Sequence, residues 1–144
     1  MARTEPGTRS VCPVAYALDV FGDQWSLLIV RDLLLSRRRA FQELVNAPEG
    51  IATNVLADRL ERLTDLGVVV AAVDPDDGRR RSYFLTDKGL ALFPVLFELI
   101  RWSGAHHAGS PATPAVIGRI RRSAPALIKQ HRIERDAACL DQAD

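Results

Sequence analysis

Three consecutive arginines, Arg79, Arg80 and Arg81, carry the densest chemistry in this sequence, because they follow the turn residues Asp74-Pro75-Asp76-Asp77-Gly78 directly. Guanidiniums bunched at the end of a turn suit phosphate oxygens or a narrow, negatively charged groove. Asp76 or Asp77 is placed to orient one of them through a charge-assisted hydrogen bond. A second triplet, Arg37-Arg38-Arg39, falls in another expected loop and is a further phosphate candidate. Between the triplets, Thr53, Asn54 and Ala57 open an apolar-periodic segment that continues through Asp58 and Arg62. Asn pairs with an adenine edge, and Thr meets phosphate or a thymine methyl. Asp58 is awkward beside phosphate unless it accepts from cytosine or pairs with Arg62 four residues on. Cys12 precedes Pro13 at an expected helix start, where the dipole favours a thiolate. It is a candidate sensor thiol, with a small apolar side chain at an interface as the plainer reading. Cys139 lies in the tail. His106-His107 has no Cys or carboxylate partner at ligand spacing, so no metal is expected. There is no phosphate loop, HExxH or nucleophile elbow, so neither an enzyme nor a cofactor is expected.

These groups need elements to position them. Leu56, Leu60, Leu63 and Leu66 recur at helical spacing and Gly67 suits a left-handed stop. An apolar run at 68–73, the turn, and a second strand at 82–85 then make a hairpin, after which Thr86 caps another helix. A helix followed by a hairpin with a basic tip is the layout of a winged helix-turn-helix. Its helix would enter the DNA major groove with the wing beside it.

Upstream, Cys12-Pro13 starts a helix that Gly22 ends, with Val14, Ala17, Leu18 and Phe21 as its apolar stripe. Asp23 caps a second helix over 24–35, apolar on nearly every side and therefore central or covered by another subunit. A very short strand at Ala40-Phe41 and a short helix over 42–46 follow, and Pro48-Glu49-Gly50 breaks the latter. The helix after the hairpin is expected to run to Ser103, with Leu85 and Leu90 as a staple and Pro94 as a kink. Surplus apolar surface on two helices argues for a homodimer, with Val14, Leu18, Trp25, Phe93, Phe97, Ile100 and Trp102 at the interface. Residues 104–114 read as a linker. Residues 115–140 have some helical character, broken by Pro125, and a strongly basic balance.

The chain has 144 residues, 47% hydrophobic and 26% charged, which fits one globular domain. Its parts are a flexible tail (1–10), a DNA-binding and dimerisation domain (11–104) and a basic extension (105–144). The fold class is mainly α with a small β-hairpin, dimerising through N-terminal and C-terminal helices. No apolar stretch reaches the ~18 residues of a membrane span, and the polar start lacks a signal-peptide core, so a cytoplasmic location without membrane contact is expected. Two cysteines do not make a disulfide framework. Net charge is only +1, so any basic face comes from distribution rather than bulk charge.

Cys12-Pro13, the Gly22-Asp23-x-Trp25 entry to the second helix, and Tyr83-x-Leu85-Thr86-x-x-Gly89 after the wing resemble the HxlR-type regulators. These are dimeric bacterial winged-helix transcription factors, and the likeness spans residues 12 to 102. The arginine-rich wing differs from that family and is similar to the wing of MarR-type regulators, where an arginine enters the minor groove. The resemblance implies a homodimeric repressor on a palindromic double-stranded operator, released by a small molecule or by an electrophile or oxidant at Cys12. The same layout without DNA contact would serve as a protein-interaction module or as a ligand- or redox-binding protein.

Overall fold

Cys12 and Pro13 set the first helix, α1 (Pro13–Phe21), with Pro in the opening turn. The computed structural model describes residues 5–142; the first four residues of the expected tail and the last two of the extension lie outside the described residues. Within that tail, the Gly7 amide and the Arg9 guanidinium both donate to Asp19 of α1, at 3.2 and 2.6 Å. The α1 stripe is not buried as the periodicity suggests. Val20 enters the core, whereas Val14 and Leu18 are 65% and 51% exposed.

Asp23 caps the second helix, α2 (Ser26–Leu34), accepting from the amides of Trp25 and Ser26 at 2.8 Å each. Ile29, Val30, Leu33 and Leu34 are buried, which makes α2 the central element. Its one buried carboxylate, Asp32, is paired with Arg31 at 2.8 Å and Arg38 at 3.0 Å. The short α3 (Phe41–Val45) follows a single bridge from Ala40 to Ser82. Then comes α4 (Thr53–Asp65), with Leu56, Leu60 and Leu63 inward.

Gly67, at φ 73°, turns the chain out of α4 in the left-handed region. The hairpin pairs β1 (Val69–Val73) with β2 (Arg81–Leu85) antiparallel, from Val69 opposite Leu85 to Val73 opposite Arg81. Both faces carry buried residues: Val69 and Leu85 on one, in the core with Val68, and Ala72 and Phe84 on the other, where Phe84 meets His131 edge-on. The Thr86 hydroxyl accepts from the Gly89 amide at 3.1 Å, starting α5 (Asp87–Leu90). Gly89 is required by contact: a β-carbon there would collide with the Val68 carbonyl oxygen.

Two expectations are corrected beyond this point. The helix begun at Thr86 does not run through Pro94. It stops after one turn, and Pro94 opens a separate α6 (Phe93–His106), where its missing N–H costs nothing. Pro125 does the reverse. It lies inside a continuous α7 (Pro114–Leu140). Val116 and Ile120 before it face α6, while Leu127 and Ile128 after it pack on the core. That packing holds both flanks helical despite the lost hydrogen bond. Among the described residues no helix is long and apolar enough to cross a membrane.

Candidate nucleic-acid interface

The buried leucines of α4 leave its first turn facing outward: Thr53, Asn54 and Ala57 are exposed, and Asp58 and Arg62 are half-buried. Arg59 fastens this helix to the α1–α2 corner, bridging Asp58 at 2.9 Å and Asp23 at 3.5 Å. Burial works to raise the Asp23 carboxyl. Hydrogen bonds from Ser26 and Trp25 and the Arg59 charge outweigh it, holding Asp23 below its ordinary value.

In the hairpin loop the acids fold the turn. The Asp74 carboxylate accepts from the Asp76 amide at 2.8 Å, and the Asp77 carboxylate from the Arg79 amide at 3.0 Å. The Asp74 amide donates to the Arg80 carbonyl and the Arg80 amide to the Asp77 carbonyl, both at 2.9 Å. Thus Asp77 orients the backbone of Arg79, where a side-chain pair was expected. Arg79, Arg80 and Arg81 are all exposed. They border a cleft of about 490 Å³ whose other wall is Ala40, Phe41 and Gln42, at the start of α3.

The other triplet, expected to meet phosphate, is placed differently, with each guanidinium paired within the protein. Arg38 turns back to Asp32. Arg39 lies over the Phe84 ring at 5.0 Å, donates to the Leu33 carbonyl, and reaches Glu134 of α7 at 3.1 Å. Arg37, in a left-handed conformation (φ 54°), also pairs with Glu134. All three guanidiniums have partners inside the protein. Two of them share an acid more than ninety residues downstream, which spacing along the chain does not reveal.

Sequence reasoning also missed a buried histidine. His131 of α7 is 2% exposed, and its Nε2 accepts from the Leu85 amide at 2.8 Å. Nδ1 therefore carries the hydrogen, with the Arg39 guanidinium beside it at 3.2 Å as a neighbouring charge rather than a donor. Burial pushes the imidazole down to about 4, and the Arg39 and Arg135 charges act in the same direction. Arg135 donates to the Leu85 carbonyl at 3.1 Å and to Asp87 at 3.0 Å.

Of the residues expected between subunits, Trp25 and Phe93 pack on the chain's own core. Phe97 is buried, stacked on Phe93 at 5.8 Å with Arg121 of α7 over its ring at 5.3 Å. Val14, Leu18 and Trp102 stand exposed, Trp102 at 67% with His106 against its ring. Ile100 lines an apolar groove of about 380 Å³ between α2, α6 and the start of α7. Cys12 is exposed at the head of α1, and Cys139 is half-buried in α7. Among the described residues no three His, Cys, Asp or Glu side chains gather as metal ligands.

The model of the HxlR-like helix-turn-helix family matches residues 20–110, from the end of α1 through the hairpin to the α6–α7 connection. The chain belongs to this family of transcriptional regulators. It is similar to YvaP of Bacillus subtilis, an uncharacterized HTH-type transcriptional regulator, with 39% identity over 94 residues, covering 65% of this chain and 86% of YvaP. The crystal structure of PA1607 superposes with a TM-score of 0.66 at 40% identity, over 74% of this chain and 73% of that one. The redox regulator HypR in its oxidized form superposes with a TM-score of 0.60 at 25% identity, over 67% of this chain and 98% of HypR. The whole of α7 lies beyond the residues that the family model matches, since the match ends at residue 110 and α7 begins at Pro114.

Proposed function

We propose that this HxlR-type chain is a homodimeric, sequence-specific DNA-binding repressor. The observation that carries the reading is the wing. Three exposed arginines border a cleft at α3, and the Asp74 and Asp77 carboxylates beside them accept from backbone amides of the loop. In this reading Thr53, Asn54 and Ala57 reach base edges, Asp58 and Arg62 set the flank of the helix, and the wing grips sugar-phosphate or the minor groove. Exposed Val14, Leu18 and Trp102, with the groove at Ile100, support a second copy as the cover for surface the chain leaves open. Dimer symmetry then calls for a palindrome with half-sites about one helical turn, ~34 Å, apart.

A gel shift against the upstream intergenic DNA, repeated over a salt series, tests this. Arg79→Ala should weaken binding to every sequence and lower the salt slope by about one contact, whereas Asn54→Ala should relax preference at one base position. Unchanged affinity and slope in Arg79→Ala would overturn the wing's part.

Release by an oxidant or electrophile at Cys12 is the signal we favour, because Cys12 is exposed at the head of α1 and HypR is named a redox regulator. Diamide should loosen operator binding by the native chain and leave Cys12→Ser unaffected. An equal response in both would remove Cys12 from the account.

A further inference from the structure

Two strands alone make a marginal sheet, and an edge strand leaves alternate amides without a strand partner. Here the outer edge of β2 is satisfied from outside the hairpin. The Tyr83 amide donates to the Arg39 carbonyl at 2.8 Å, and the Leu85 amide donates to His131 at 2.8 Å. The Leu85 carbonyl accepts from Arg135, which also holds Asp87 directly after the strand. Glu134 ties down the Arg39 side chain whose backbone serves Tyr83. One turn of α7, from His131 to Arg135, therefore takes over the base of the wing, and none of it is available in the matched family region.

We infer that α7 is a brace that positions the wing on DNA, with His131 as its central positioning residue: it touches the strand leading from the arginines and never the nucleic acid. This rests on the DNA-binding reading above. The leverage is geometric. Leu85 and Arg81 are four residues apart in β2, about 13 Å at ~3.3 Å per residue, and Arg79 lies beyond. A tilt of about 10° at the base moves the tip by about 2–3 Å, enough to break a hydrogen bond to phosphate. Losing the imidazole also leaves the Leu85 amide buried without an acceptor, so the strand end has reason to move.

The test is a double-mutant cycle on full-length protein: wild type, Arg79→Ala, His131→Leu and the double variant, each titrated with operator DNA over a salt series. Arg79→Ala is expected to cost about tenfold in the wild-type background and less than about twofold in His131→Leu, whose own salt slope has already fallen by about one. His131→Gln, whose amide oxygen accepts from Leu85, is expected to restore much of the binding. If His131→Leu does not fold, Arg135→Gln in the same cycle removes the bonds to Leu85 and Asp87 from a less buried position. Equal losses from Arg79→Ala in both backgrounds would overturn the brace while leaving the DNA reading intact. An Arg79→Ala that changes nothing in the wild-type chain would overturn the DNA reading and the brace with it.

Discussion

Lowering the pH from about 7.5 to about 5 should destabilise the folded chain by about 2 kcal/mol through His131 alone. The ring is 2% exposed, and its pKa falls from 6.5 to about 4, first through burial and then through the Arg39 and Arg135 charges. Glu134 opposes this and does not reverse it. In the unfolded chain the imidazole takes up a proton as the pH drops through about 6.5, while in the folded chain it stays neutral to accept from Leu85. The contribution is therefore complete above the unfolded value and is lost progressively between about 6.5 and 4. Its full span is about 3 kcal/mol. Urea denaturation at a series of pH values, on wild type and on His131→Gln, isolates it, because carboxylate titrations common to both cancel in the difference. Stability curves that run parallel from pH 7.5 to 5, or a ring that titrates near 6.5 by NMR, would refute the reasoning.

Other perturbations test separate parts of the fold. Gly89→Ala should cost about 1–3 kcal/mol in chemical denaturation, since its new methyl meets the Val68 carbonyl, a backbone atom that has little room to retreat. Asp23→Ala removes the acceptor for the Trp25 and Ser26 amides and should lower stability by about 1 kcal/mol in the same assay. Trp102→Glu or Leu18→Glu should shift the sedimentation equilibrium towards monomer with the melting temperature little changed; a large fall in melting temperature would mean these side chains serve their own chain's packing. Arg38→Ala should leave the salt slope of DNA binding as it is, because that guanidinium is directed at Asp32. A slope lower by one would restore the second triplet as a phosphate contact.

Most of the winged module was legible because its signals are local. Leucines at helical spacing buried one side of α4, turn residues bent the hairpin, and Thr86 capped within three residues. The family motifs have the same local logic: Asp23 caps what Trp25 packs beneath, and Thr86 and Gly89 serve a corner where two backbones touch. Where the reading failed, the deciding partner was distant. Arg39 looked like a surface cation because Glu134 and His131 lie more than ninety residues away. Phe97 looked like surplus surface because Arg121, which lies over its ring, is twenty-four residues away in α7. Pro125 looked like a break because propensity cannot see that both flanks are held by packing.

By itself, the order of residues determined α1 to α4, the hairpin and the basic tip, since periodicity, caps and turns act over a few positions and need no knowledge of what lies opposite. Only the tertiary structure decided that Arg38 and Arg39 turn back onto Asp32 and Glu134 while Arg79 to Arg81 stay exposed, and that the last helix supports β2. Both depend on contacts between segments far apart in the chain, where burial and charge pairing, rather than local spacing, set the outcome.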